Sequence, residues 1–67
     1  MIELQVPDMT CGHCAATITK AAKAVDGTSA VDVDLPAHRV RITSTRAAGE
    51  FVAAIAEAGY TPSVVAG

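Results

Sequence analysis

The chain's two cysteines stand two residues apart in the stretch Pro7-Asp8-Met9-Thr10-Cys11-Gly12-His13-Cys14, with one of its two histidines between them. Paired thiols at this spacing support three chemistries: a thiol–disulfide couple, part of a structural zinc site, or a pincer that holds a soft metal ion and passes it on. A structural zinc site closes a tetrahedron with four ligands, and the sequence offers no second CxxC and no His-x-His pair to complete one. A thioredoxin-like couple also begins a helix, but no aromatic residue precedes Cys11, and such couples sit in a larger βαβ framework. Two thiolates satisfy a low-coordinate d10 ion, Cu(I) above all, and leave its other positions open to an incoming ligand. A divalent ion such as Zn(II), Cd(II) or Hg(II) calls for additional oxygen or nitrogen donors, for which Asp8 and His13 are near in sequence.

The elements around the pair decide how it is presented. Ile2, Leu4 and Val6 alternate with Glu3 and Gln5, a strand with one buried face that ends at Pro7 and Asp8. From about Gly12 to Val25, Ala15, Ile18, Ala22 and Val25 fall at helical spacing, and Asp26-Gly27 closes the helix. Val31, Val33 and Leu35, then Val40 and Ile42, read as a hairpin with acidic Asp32 and Asp34 set to pair across strands with Arg39 and Arg41. Phe51, Ile55 and Ala58 define a second helix over roughly Ala48 to Ala58, ended by Gly59, and Ser63, Val64 and Val65 form a short last strand.

This order predicts an α+β, ferredoxin-like βαββαβ fold, a four-stranded antiparallel sheet with two helices on one face, as a single domain over residues 1–67. In that topology the first strand-to-helix loop, the hairpin turn at Pro36 to His38 and the Gly59-Tyr60 turn share one end. Cys11, Cys14, His38 and Tyr60 are then expected on one rim. The thiol nearest the helix start gains from the positive end of the helix dipole.

Composition narrows the function further. A chain of 67 residues with one Phe, one Tyr and no Trp has a thin core and little room for a deep substrate cavity. Its formal net charge of -2 argues against nucleic-acid binding. The start shows no secretory pattern and no apolar run spans a membrane, so a free-standing cytoplasmic protein without membrane insertion is expected. Two thiols in a reducing compartment serve metals or catalysis more often than structural disulfides.

Met9-Thr10-Cys11-Gly12-His13-Cys14 resembles the Met-x-Cys-x-x-Cys signature of the heavy-metal-associated domain, the fold of small copper chaperones and of the N-terminal modules of copper-exporting P-type ATPases. The resemblance covers nearly the whole chain, with Ala58-Gly59-Tyr60 similar to the family's late loop near the metal. It implies Cys11 and Cys14 as ligands of Cu(I), Met9 as an inward-packed support, and a Tyr of the bacterial chaperone type at Tyr60. Asp8 stands where the family often has glycine. The implied protein is no enzyme: it delivers copper by cysteine exchange to a copper-transporting P-type ATPase, with a metal-bridged homodimer as another form. A carrier of Zn(II), Cd(II) or Hg(II) using Asp8 or His13 is the alternative. Met9 through its thioether, and Tyr60 through its hydroxyl, are further candidates at the site. His38 is expected to be a solvated turn residue, and Lys20 and Lys23 a solvated helix face.

Overall fold

The computed structural model describes residues 1–66. In chain order the elements are β1 (Ile2–Gln5), α1 (Gly12–Val25), β2 (Ala30–Asp34), β3 (Arg39–Thr43), α2 (Ala48–Glu57) and β4 (Ser63–Ala66). The strands form one sheet in the order β2-β3-β1-β4, each neighbouring pair antiparallel, which is the expected ferredoxin-like arrangement.

Register sets the two faces. Ile2 lies opposite Ile42 and Leu4 opposite Val40, all four buried, while Glu3, Gln5, Arg39 and Arg41 occupy the other face. On the buried face, Ile18 and Ala22 of α1 and Phe51 and Ile55 of α2 close the core with Val6 and Met9. Both helices therefore cover the same side of the sheet. Val31 and Val33 stay half-buried because β2 is an edge strand.

The outward charges pair differently from the expectation. Asp32 and Asp34 do lie opposite Arg41 and Arg39, yet among the described residues both arginines turn to Glu3 of β1. Arg39 Nη1 stands 2.8 Å and Arg41 Nε 3.9 Å from Glu3 Oε2. Asp34 instead accepts from the Ala37 amide at 3.3 Å and shapes the hairpin turn. A carboxylate flanked by two arginines on the central strands gains more than either edge aspartate can, since edge side chains keep more of their water.

Two helix ends position the site. At the start of α1 the N-cap is Cys11, which makes no side-chain cap, and the first turn carries no acidic residue. The amides there are left without an oxygen acceptor from the usual capping side chains. At the end of α2, Gly59 adopts φ +101, a left-handed conformation that costs glycine little. Its amide bonds to the Ala56 carbonyl at 3.0 Å and that of Tyr60 to the Ile55 carbonyl at 3.3 Å, a Schellman motif that aims Tyr60 back over the end of the core.

Candidate metal centre

Cys11 and Cys14 are free thiols with their sulfurs 3.4 Å apart, Cys11 exposed and Cys14 half-buried. Cys14 is fixed by the first turn of α1, whereas Cys11 lies on extended backbone at φ -150, ψ 170. One arm of the pincer is therefore held and the other is free to swing. With a metal–sulfur distance of about 2.3 Å, a tetrahedral ion needs its two sulfurs about 3.8 Å apart and a linear one about 4.6 Å. The observed separation calls for a movement of about 1 Å by the exposed arm to embrace a linearly coordinated ion.

The electrostatics favour thiolate. The Cys14 thiol is lowered from 9.0 to about 6, first by a hydrogen bond from the Tyr60 hydroxyl, then by backbone hydrogen bonding at Thr10 and by the Cys11 thiol. The Tyr60 hydroxyl is correspondingly raised, chiefly because it donates to Cys14, so it keeps its proton and remains a donor. Neutral pH thus finds Cys14 ionised and ready as a nucleophile or ligand. Substituting Tyr60 by Phe should return the Cys14 value toward 9.0. Alkylation of Cys14 by iodoacetamide, followed against pH in a Cys11→Ser background, is expected to shift its midpoint upward in Tyr60→Phe; an unmoved midpoint would exclude Tyr60 as the cause. Because the folded value lies below the ordinary one, thiolate formation adds stability that is fully present above 9.0 and is lost as pH falls through about 6.

The other sequence candidates have separate placements. Met9 is completely buried in the core. Asp8 turns to the late loop, where its carboxylate accepts from the Thr61 amide at 3.2 Å and the Thr61 hydroxyl at 3.4 Å. His13 is exposed at the start of α1. Among the described residues no group of three or more His, Cys, Asp or Glu side chains converges to hold an ion.

One expectation needs correction. His38 is not a solvated turn residue: it is half-buried, and its Nδ1 lies 2.8 Å from the Met9 carbonyl. Lys20 and Lys23 are exposed on α1 as expected, and Lys23 Nζ also donates to the Ser29 carbonyl at 2.7 Å, tying the end of α1 to the approach of β2. The sequence reading also passed over Thr17 and Thr61. Thr17 stands one turn beyond Cys14 and its hydroxyl acts on that of Tyr60, a neighbour that the i, i+3 spacing from Cys14 could have suggested.

The heavy-metal-associated domain model matches residues 3–61. The chain belongs to the heavy-metal-associated domain family. Among curated relatives, it is 39% identical over 66 residues to the mercuric transport protein periplasmic component of Shigella flexneri, covering 94% of this chain and 72% of that protein. Among solved structures, a gold binding protein superposes with a TM-score of 0.91 at 30% identity, over 96% of this chain and 98% of its own. The copper chaperone Atx1 from Synechocystis PCC6803 superposes with a TM-score of 0.90 at 40% identity, over 94% of this chain and 100% of that one. The family is thus one of metal-binding and metal-trafficking domains, and its members near this chain are named for mercury, gold and copper. No helix among the described residues is long and apolar enough to cross a membrane.

Proposed function

We propose that this heavy-metal-associated chain, acting as one unit over residues 1–67, is a metallochaperone that binds a single Cu(I) through Cys11 and Cys14. The observation that carries the reading is the pair of free thiols at an uncapped helix start, Cys11 exposed and Cys14 half-buried with its thiol lowered to about 6. Two soft donors, with no third group converging on them among the described residues, suit a monovalent d10 ion, and they leave room for a partner's thiolate. Transfer proceeds by ligand exchange. One incoming thiolate binds the ion, a three-sulfur intermediate forms, and one outgoing thiolate, preferably that of the mobile Cys11, leaves. No bond in a substrate is made or broken, so the protein works as a carrier and not as an enzyme.

The receiving partner in this reading is a copper-transporting P-type ATPase with a cysteine pair of the same kind, met through a small, transient interface at the sulfur rim. The location is the cytoplasm, where thiols stay reduced. Met9 supports the loop from the core, Tyr60 holds Cys14 as thiolate, and His13 is a solvent-facing neighbour. Asp8, with its carboxylate engaged by Thr61, braces the late loop.

A second reading is favoured by one observation, the identity of 39% with a mercuric transport protein periplasmic component. Hg(II) also accepts two thiolates, and the same pincer would then serve a mercury carrier in the periplasm. Anaerobic titration of the reduced protein with Cu(I), Hg(II) and Zn(II), each against a competing chelator, separates them. The copper reading expects one Cu(I) per chain, held through the competitor, and weak Zn(II) binding. Cu(I) lost to the competitor while Hg(II) is retained would overturn it in favour of mercury. A stoichiometry of one ion per two chains would mark the bridged homodimer.

A further inference from the structure

We propose that His38 is a positioning residue, a latch from the β2–β3 turn that pins the metal loop at Met9 and confines its opening to Thr10 and Cys11. The inference rests on the assignment of Cys11 and Cys14 as the metal pincer.

The loop between β1 and α1 must hold Cys14 and yet let Cys11 move by about 1 Å to admit a linearly coordinated ion. Where that movement begins depends on which backbone groups are tied to the rest of the fold. The Val6 amide donates to the His38 carbonyl at 2.8 Å, and the Met9 amide donates to the Val6 carbonyl at 3.1 Å. Because a carbonyl only accepts, the contact at 2.8 Å between His38 Nδ1 and the Met9 oxygen places the proton on Nδ1. With the Met9 side chain fully buried, Met9 is held by amide, carbonyl and side chain together. Beyond it, Thr10 and Cys11 are exposed and precede the helix. The hinge therefore starts after Met9.

The backbone of His38 supplies an independent reason. It sits at φ 55, in the left-handed region that glycine and asparagine occupy more easily. A side chain kept there needs surroundings that fix it, and the contacts through its carbonyl and Nδ1, both reaching the β1–α1 segment, do so. A bare turn could use glycine; the imidazole adds the link between hairpin and loop.

Three proteins test the latch: wild type, His38→Gly and His38→Asn. Glycine accepts the backbone conformation and deletes the donor. Asparagine also accepts it and presents an amide N–H where Nδ1 stands. Amide hydrogen exchange of the metal-free protein and the rate of Cu(I) release to a chelator are the readouts. His38→Gly is expected to speed exchange of the Met9 amide about three- to tenfold, with a similar gain in Cu(I) release. His38→Asn is expected to return both rates to near wild type. Wild-type rates in His38→Gly, or equal acceleration in both variants, would overturn the proposal. A wild-type chain that binds no Cu(I) would instead overturn the copper reading, while the exchange measurement on metal-free protein still decides the latch.

Discussion

Cys11→Ser and Cys14→Ser are each expected to weaken Cu(I) binding by more than about a hundredfold, since loss of a group merely supporting a metal ligand already costs 10–100-fold. A serine hydroxyl is a hard donor and stays protonated at neutral pH, so either change leaves one sulfur where the proposed site uses two. The fold should tolerate both variants. Cys11 is exposed and its side chain caps nothing, so Cys11→Ser should alter stability by less than about 0.5 kcal/mol. Cys14 is half-buried against the core, and serine is close to it in size and still offers the Tyr60 hydroxyl an oxygen acceptor in place of sulfur. The two variants differ in kinetics. Cys11→Ser keeps the Tyr60 and Thr10 hydrogen bonds, the two largest causes that lower the Cys14 thiol, and should still react with alkylating agents at pH 7, whereas Cys14→Ser removes that thiol. Chelator competition gives the affinities and thermal unfolding shows that the fold persists. Cu(I) affinity retained in both variants would remove the cysteine pair as the site.

Much of this was legible in the sequence because the signals were local. Helix α1 runs over Gly12–Val25 as the spacing of Ile18, Ala22 and Val25 requires, and the alternation of Ile2, Leu4, Val40 and Ile42 set the register of β1 against β3. Cys11 and Cys14 needed only their own spacing and a helix start to be brought within 3.4 Å. What escaped were contacts between distant segments whose partners carry no pattern. Asp8 and Thr61 are 53 residues apart and His38 and Met9 are 29 apart, and a backbone carbonyl or amide is one partner in each place. Every residue presents those groups, so no residue type announces them. The charge pairing failed for a related reason. Alternation predicted correctly which residues share the outward face, but the choice of Glu3 over Asp32 and Asp34 depends on the strand order β2-β3-β1, in which β3 has a neighbour on each side.

Met9→Ala is expected to destabilise the protein by about 2–5 kcal/mol, the usual cost of truncating a buried methionine. The side chain is fully buried with Leu4, Ile18 and Phe51 in the core. Total stability for a domain of this size is only about 3–10 kcal/mol, so this one change removes much of it and should lower the unfolding midpoint in urea accordingly. Met9→Leu keeps the volume and should cost less than about 1.5 kcal/mol. The pair also separates the two roles open to the thioether. If Met9 only packs, Met9→Leu retains Cu(I) affinity within a few-fold. If its sulfur completes the site, Met9→Leu loses affinity as severely as a cysteine variant while staying folded. Burial favours the first outcome. Metal then becomes a stabiliser of the weakened Met9→Ala protein, because Cu(I) at a free concentration of a hundred times its dissociation constant adds about 2.7 kcal/mol to the folded state. A rise in the unfolding midpoint of Met9→Ala with added Cu(I), absent when Cys14→Ser is combined with it, would show that Cu(I) stabilises the fold by binding at the cysteine pair.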